Sequence, residues 1–153
     1  SGGSQESGLR GGTEATAQIA GFAKAVELRV KGLEEKLAHM AEIKAYAVEQ
    51  LTRIPDLQLL SDGTAPHVLS VSLVGWPSQN IVNDLSNQGI CISAGSACSA
   101  RSRNISRAMT AFGLTDKEAD ATVRVSLSPR NTVAEAKIFT DAVADALQLQ
   151  HFS

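Results

Sequence analysis

The residues best suited to chemistry lie in one stretch, residues 91–103, reading Cys-Ile-Ser-Ala-Gly-Ser-Ala-Cys-Ser-Ala-Arg-Ser-Arg. Small residues on both sides leave a thiol at Cys98 accessible. The guanidinium groups of Arg101 and Arg103 would favour its thiolate, the form of cysteine that acts as a nucleophile. Composition by itself serves a second reading equally well, a flexible surface loop with an incidental cysteine, because free cysteine is usually buried and inert. Arg107 and Arg130 add to the local positive charge, which suits either an anion site or a solvated patch.

Composition bounds the remainder. The 153 residues suffice for one domain with a real core. A hydrophobic fraction of 43% with 20% charged residues is that of a globular chain. Aromatics make up only 4%, so the core must be built from Ala, Val, Leu and Ile. A net charge of -2 argues against nucleic acid or an anionic membrane as partner. Two cysteines and three scattered histidines give neither a disulfide scaffold nor metal-ligand spacing, so no metal is expected. No apolar run is long enough to span a bilayer and no signal peptide is present, so a reducing cytoplasmic compartment is expected. The chain opens on a glycine-rich run without an initiator Met, as in a linker or a loop entered midway.

Periodicity then supplies the elements that must position these residues. Residues 14–54 are helical in pattern, with Val26, Val30, Leu33, Leu37, Met40, Ala47, Leu51 and Ile54 forming an apolar stripe expected to be core. Lys44 interrupts the stripe, Gly32 suits a break, and Pro55 ends the segment. Residues 57–60 and 68–74 read as strands, the second placing Leu69, Val71 and Leu73 on one face and Ser70 and Ser72 on the other. His67, at its start, reads as structural. Ser78 is a credible N-cap for a helix to Asn87 that Gly89 would end. Residues 90–92 read as a strand carrying Cys91, and 105–112 as a short helix. Capping boxes begin at Thr115 and Thr132. Between them, 122–127 alternates, with Val123, Val125 and Leu127 on one face and Arg124 and Ser126 on the other. The last helix carries Ala136, Phe139, Val143, Ala146 and Leu147. The expected fold is α+β, a small mixed or antiparallel sheet backed by helices in two layers.

Four stretches, in this order, resemble one family. Gln-Glu-Ser-Gly-Leu-Arg-Gly-Gly-Thr at 5–13 is similar to the glycine-rich segment of the cysteine desulfurases, pyridoxal-phosphate enzymes of the class V aminotransferase group. Residues 65–72 resemble the strand that opens the family's small domain, Gly-Ser-Ala-Cys-Ser at 95–99 its active-site cysteine segment, and 122–127 with Asn131-Thr132 its Arg-[Ile/Val]-Ser strand.

The resemblance implies the C-terminal domain of a fold-type I pyridoxal-phosphate enzyme. Residues 1–13 would come from the large domain and 14–54 would form a connecting helix or helix pair. Residues 55–153 would be the small domain, with the cysteine loop at 93–106. It implies removal of sulfur from L-cysteine, leaving L-alanine and a persulfide on Cys98. The loop is similar to the long, mobile kind that passes sulfur to acceptor or scaffold proteins in iron–sulfur cluster assembly. Arg124 would grip the substrate carboxylate, and Thr13 would reach the cofactor phosphate of the partner subunit in a homodimer. Thr13 also suits an ordinary helix cap, and Cys91 has no matching role. The family often has Glu-Pro before the serine of the loop, where this chain has Arg103-Asn104-Ile105-Ser106. The family's cofactor lysine follows a histidine in a preceding larger domain. No lysine here follows a histidine, so a truncated, inactive piece of a longer enzyme is expected. A stand-alone persulfide carrier and a selenocysteine lyase are the alternatives.

Overall fold

The N-terminal stripe becomes two helices, α1 at Thr16–Val30 and α2 at Leu33–Leu51. Gly32 divides them with φ +65, a left-handed conformation that glycine adopts without a Cβ clash. The computed structural model describes residues 3–60, 63–94, 109, 111 and 113–147, together with the backbone of 148–150. These fall into two compact units, Ser1–Glu35 and Lys36–Ser153.

In the first unit a single 3-10 turn at Glu6–Gly8 precedes α1, and no residue of α1 is buried. The expectation that the whole stripe is core is therefore corrected. Val26, Val30, Leu33 and Leu37 keep between 38% and 59% of their surface exposed. Further along α2 the stripe does enter the core, through Met40, Ile43, Ala47 and Leu51. Ile43 fills the place where Lys44 broke the pattern. Lys44 lies one position round the helix, and its Nζ donates to the carbonyl oxygens of Gly63 and Ala65 at 2.9 and 3.0 Å.

The second unit is built on a four-stranded sheet. Its strands are β1 Leu57–Leu59, β2 Val68–Leu73, β3 Ser93–Ala94 and β4 Thr122–Ser126, in the order β1-β2-β4-β3. Every pairing is antiparallel, which decides between the two sheet types expected. Among the described residues, α3 Ser78–Asn87, α4 Asp116–Asp120 and α5 Val133–Gln150 join α2 in this unit. Leu69, Val71, Leu73, Val123 and Val125 of the sheet form one buried cluster with Ala47 and Leu51 of α2, Ile81 and Leu85 of α3, and Phe139 and Val143 of α5. Burying each such aliphatic side chain contributes about 1.5–3 kcal/mol, enough for a small core poor in aromatics to hold.

Segment ends show why some boundaries moved. Ser78 is the first residue of α3, with Pro77 at the cap and no side-chain cap bond. At the other end Gly89, at φ +78, closes the helix as expected. The Gly89 amide donates to the Ser86 carbonyl and the Ile90 amide to that of Leu85, the paired bonds of a Schellman ending. These bonds engage Ile90 in finishing the helix, and the strand expected at 90–92 forms at Ser93–Ala94 instead. Both capping boxes are present. The Thr115 amide donates to Glu118 Oε2 at 2.8 Å, and the Thr132 amide to Glu135 Oε2 at the same distance. Hydrogen bonds from the Thr115 side chain and then its backbone hold the Glu118 carboxyl below its ordinary value of 4.5. The helix expected at 105–112 lies almost wholly outside the described residues.

Candidate functional site

The sheet has a core face and a second face, and the second carries the candidate chemistry. Alternation along β4 buries Val123 and Val125 and turns Thr122, Arg124 and Ser126 the other way. At one end this second face is covered. Thr122 Oγ1 and Ser72 Oγ both donate to the Glu118 carbonyl of α4, at 2.6 and 3.0 Å, and both side chains are fully buried. One step along, Arg124 is exposed, as its alternating position predicted. It is paired with Ser70 of β2 on one side and Ser93 of β3 on the other. Arg124 takes part in none of the three ion pairs among the described residues, all of which lie on helices or in the turn after α2. An exposed guanidinium between two serines is a competent receptor for a carboxylate, which it can bind through two parallel hydrogen bonds.

Cys98, Arg101, Arg103 and Arg107 lie outside the described residues, as does most of the loop expected at 93–106. What the structure does give is the entry to that stretch. Ser93 and Ala94 pair with Arg124 and Val123, so the chain enters the cysteine stretch from a position hydrogen-bonded to the strand of Arg124. The other cysteine, Cys91, is exposed and lies just before β3, not within a strand. It borders a cleft of about 380 Å³ lined by Ile90, Ile92, Leu127, Ala136 and Phe139 among others. This cleft is not legible in the sequence, because its walls come from segments far apart along the chain.

Thr13 belongs to the first unit and is exposed. It does not cap α1, whose N-cap is Ala15 with no side-chain cap bond. That removes the helix-cap reading of Thr13. Arg10 Nη1 donates to the Thr13 carbonyl at 3.4 Å, and the first turn of α1 has no acidic side chain. The Thr16 amide donates to the Glu14 carbonyl at 2.9 Å, and the later first-turn amides with a nearby cation suit an anion such as a phosphate. These residues therefore fit the phosphate end of a pyridoxal-phosphate cofactor. For its aldehyde end the chain offers no lysine in the family's setting, since none of its lysines follows a histidine. Among the described residues no group of three His, Cys, Asp or Glu side chains could hold a metal ion. No described helix is long and apolar enough to cross a membrane.

Comparison with known proteins agrees in family and fold. The family described as Aminotransferase class-V matches residues 3–139. A NifS/IcsS protein homolog of Lactobacillus delbrueckii subsp. bulgaricus is 36% identical over 155 residues, covering 99% of this chain and 40% of its own length. A cysteine desulfurase IscS of Clostridium botulinum is 32% identical over 136 residues, covering 86% of this chain and 34% of its own. The X-ray structure of a NifS-like protein from Rickettsia africae matches with a TM-score of 0.81 at 26% identity, over 96% of this chain and 39% of that one. The chain thus spans 40% or less of the length of these relatives. Its small antiparallel sheet and helices match those of solved NifS-like proteins. With the family match running through nearly all of the sequence, the chain belongs to the class-V aminotransferases.

Proposed function

We propose that this chain is the C-terminal part of a pyridoxal-phosphate-dependent cysteine desulfurase, in which Cys98 takes sulfur from L-cysteine and carries it as a persulfide. One observation carries the reading: Arg124 stands exposed on the open sheet face, paired with Ser93, from which the chain runs directly toward Cys98. A substrate carboxylate on Arg124 would then have the cysteine stretch tethered beside it. The relatives named as cysteine desulfurases support the same reaction class.

In this reading Arg124 orients the amino acid through its carboxylate. The Cys98 thiolate forms a bond to the substrate sulfur. The substrate carbon–sulfur bond breaks with its electron pair left on carbon, and that carbon takes a proton to become the methyl group of alanine. When bound, the cofactor supplies the electron sink for breaking the bond. Thr13 would hold the cofactor phosphate, reached from the partner subunit of a homodimer. The persulfide would pass from Cys98 to an acceptor or scaffold protein, which suits a carrier on a run of small residues.

The test uses the full-length protein supplied with L-cysteine. Intact-mass analysis should show a sulfur adduct mapping to Cys98, with alanine released. Cys98→Ala should abolish the adduct and sulfur release together. Full sulfur release from that variant would overturn the assignment.

A further inference from the structure

We propose that Ser93 is a specificity and positioning residue for the carboxylate bound by Arg124, an inference that rests on the reading of Arg124 above. β4 lies between β2 and β3, and its Arg124 is paired with Ser70 and Ser93. Directly paired residues of antiparallel strands project to the same face, with Cβ atoms about 4.5–5.5 Å apart. The strand residues of this face supply one cation, Arg124, together with hydroxyls, the Gln58 amide and Val68, and no carboxylate. Two of the hydroxyls, Ser72 and Thr122, are committed to the Glu118 carbonyl. Ser126 pairs with Val68, farther along β4. Ser93 is half-buried on the edge strand, on the side from which the chain continues into the cysteine stretch.

A carboxylate has room for about four hydrogen bonds. Arg124 fills two with its parallel donors, and the Ser93 hydroxyl can donate a third to the oxygen nearer β3. A third donor fixes the roll of the carboxylate about the guanidinium axis, which two parallel bonds leave looser. It also separates a planar carboxylate from a spherical halide, because only the former presents a second oxygen toward Ser93.

The experiment follows the Arg124 Nε–Hε signal of the 15N-labelled chain by NMR while sodium acetate replaces sodium chloride at constant ionic strength. The unaltered chain should show a saturable shift. Ser93→Ala should weaken acetate binding about tenfold, the scale of one hydrogen bond to a charged group. Ser93→Thr, which keeps the hydroxyl, and Ser126→Ala should bind as the unaltered chain does. Amide signals of Val71 and Val123 report whether the sheet survives. If Ser93→Ala disturbs it, the near-isosteric pair Ser93→Thr and Ser93→Val carries the same comparison. Equal binding with and without the hydroxyl, or an equal loss in Ser126→Ala, overturns the role of Ser93 and leaves Arg124 as the carboxylate site. No acetate response at Arg124 in the unaltered chain overturns both.

Discussion

The two faces of the sheet are made by the same strands and do opposite work. On one, Leu69, Val71, Leu73, Val123 and Val125 are each at most 8% exposed and meet three helices. On the other, Ser72 and Thr122 are buried under α4, while Arg124 and Ser126 stand in the open. The first face is closed by shape and apolar area, and the second by two hydrogen bonds to a single carbonyl. The difference teaches that α4 covers only part of the second face. Where its cover stops, a charged side chain can sit on a central strand without a desolvation cost.

The comparison predicts that the faces differ steeply in their tolerance of change. Leu69→Ala, at a fully buried position, should cost about 2–5 kcal/mol through lost transfer energy and the cavity left behind. Urea denaturation reads it as a lowered midpoint with an unchanged slope. A smaller effect should come from the cap that holds α4 over the second face. The folded-state carboxyl of Glu118 is lowered, so its contribution is complete above the unfolded-state value and is lost as pH falls through the folded-state value. Thermal melting of the unaltered chain and of Glu118→Ala should therefore differ at neutral pH, with the gap narrowing toward acid pH. A gap that widens toward acid would break the account of the cap. Arg124→Ala should change stability least, within about 0.5 kcal/mol, because the side chain is exposed and outside the ion pairs. A large loss there would mean that the open face is structural after all.

Much of the second unit was legible from local rules. Alternation assigned the faces of β2 and β4, including Arg124. The two capping boxes and Gly89 marked helix ends, because those signals act within a few residues. What could not be read locally was set by distant partners. The stripe of α1 had the same spacing as that of α2, yet periodicity records which residues are apolar and not what covers them. The strand at 90–92 slipped to Ser93–Ala94 because the Schellman bonds of α3 reach Ile90. Alternation puts Ser72 on the face away from the core, and α4, an element remote in sequence, buries it there. For the site, Arg124 could be found from its strand, whereas Ser93 needed the β3–β4 register, which only the paired structure supplies. Cys98 was visible through its neighbours' small size and charge, a signal carried entirely by the sequence.

The pairing of Ala94 with Val123 has a further consequence. β3 and β4 are consecutive antiparallel strands, so the chain between them, α4 included, begins and ends at adjacent points on the sheet. Its closure is already secured by the ladder, and the entropy of closing such a loop grows only with the logarithm of its length. Doubling it would cost only about 0.6 kcal/mol. The cysteine stretch can therefore gain or lose residues between its fixed ends with little penalty to the fold. The sheet thus leaves the length of the connection between Ala94 and Val123 free to vary.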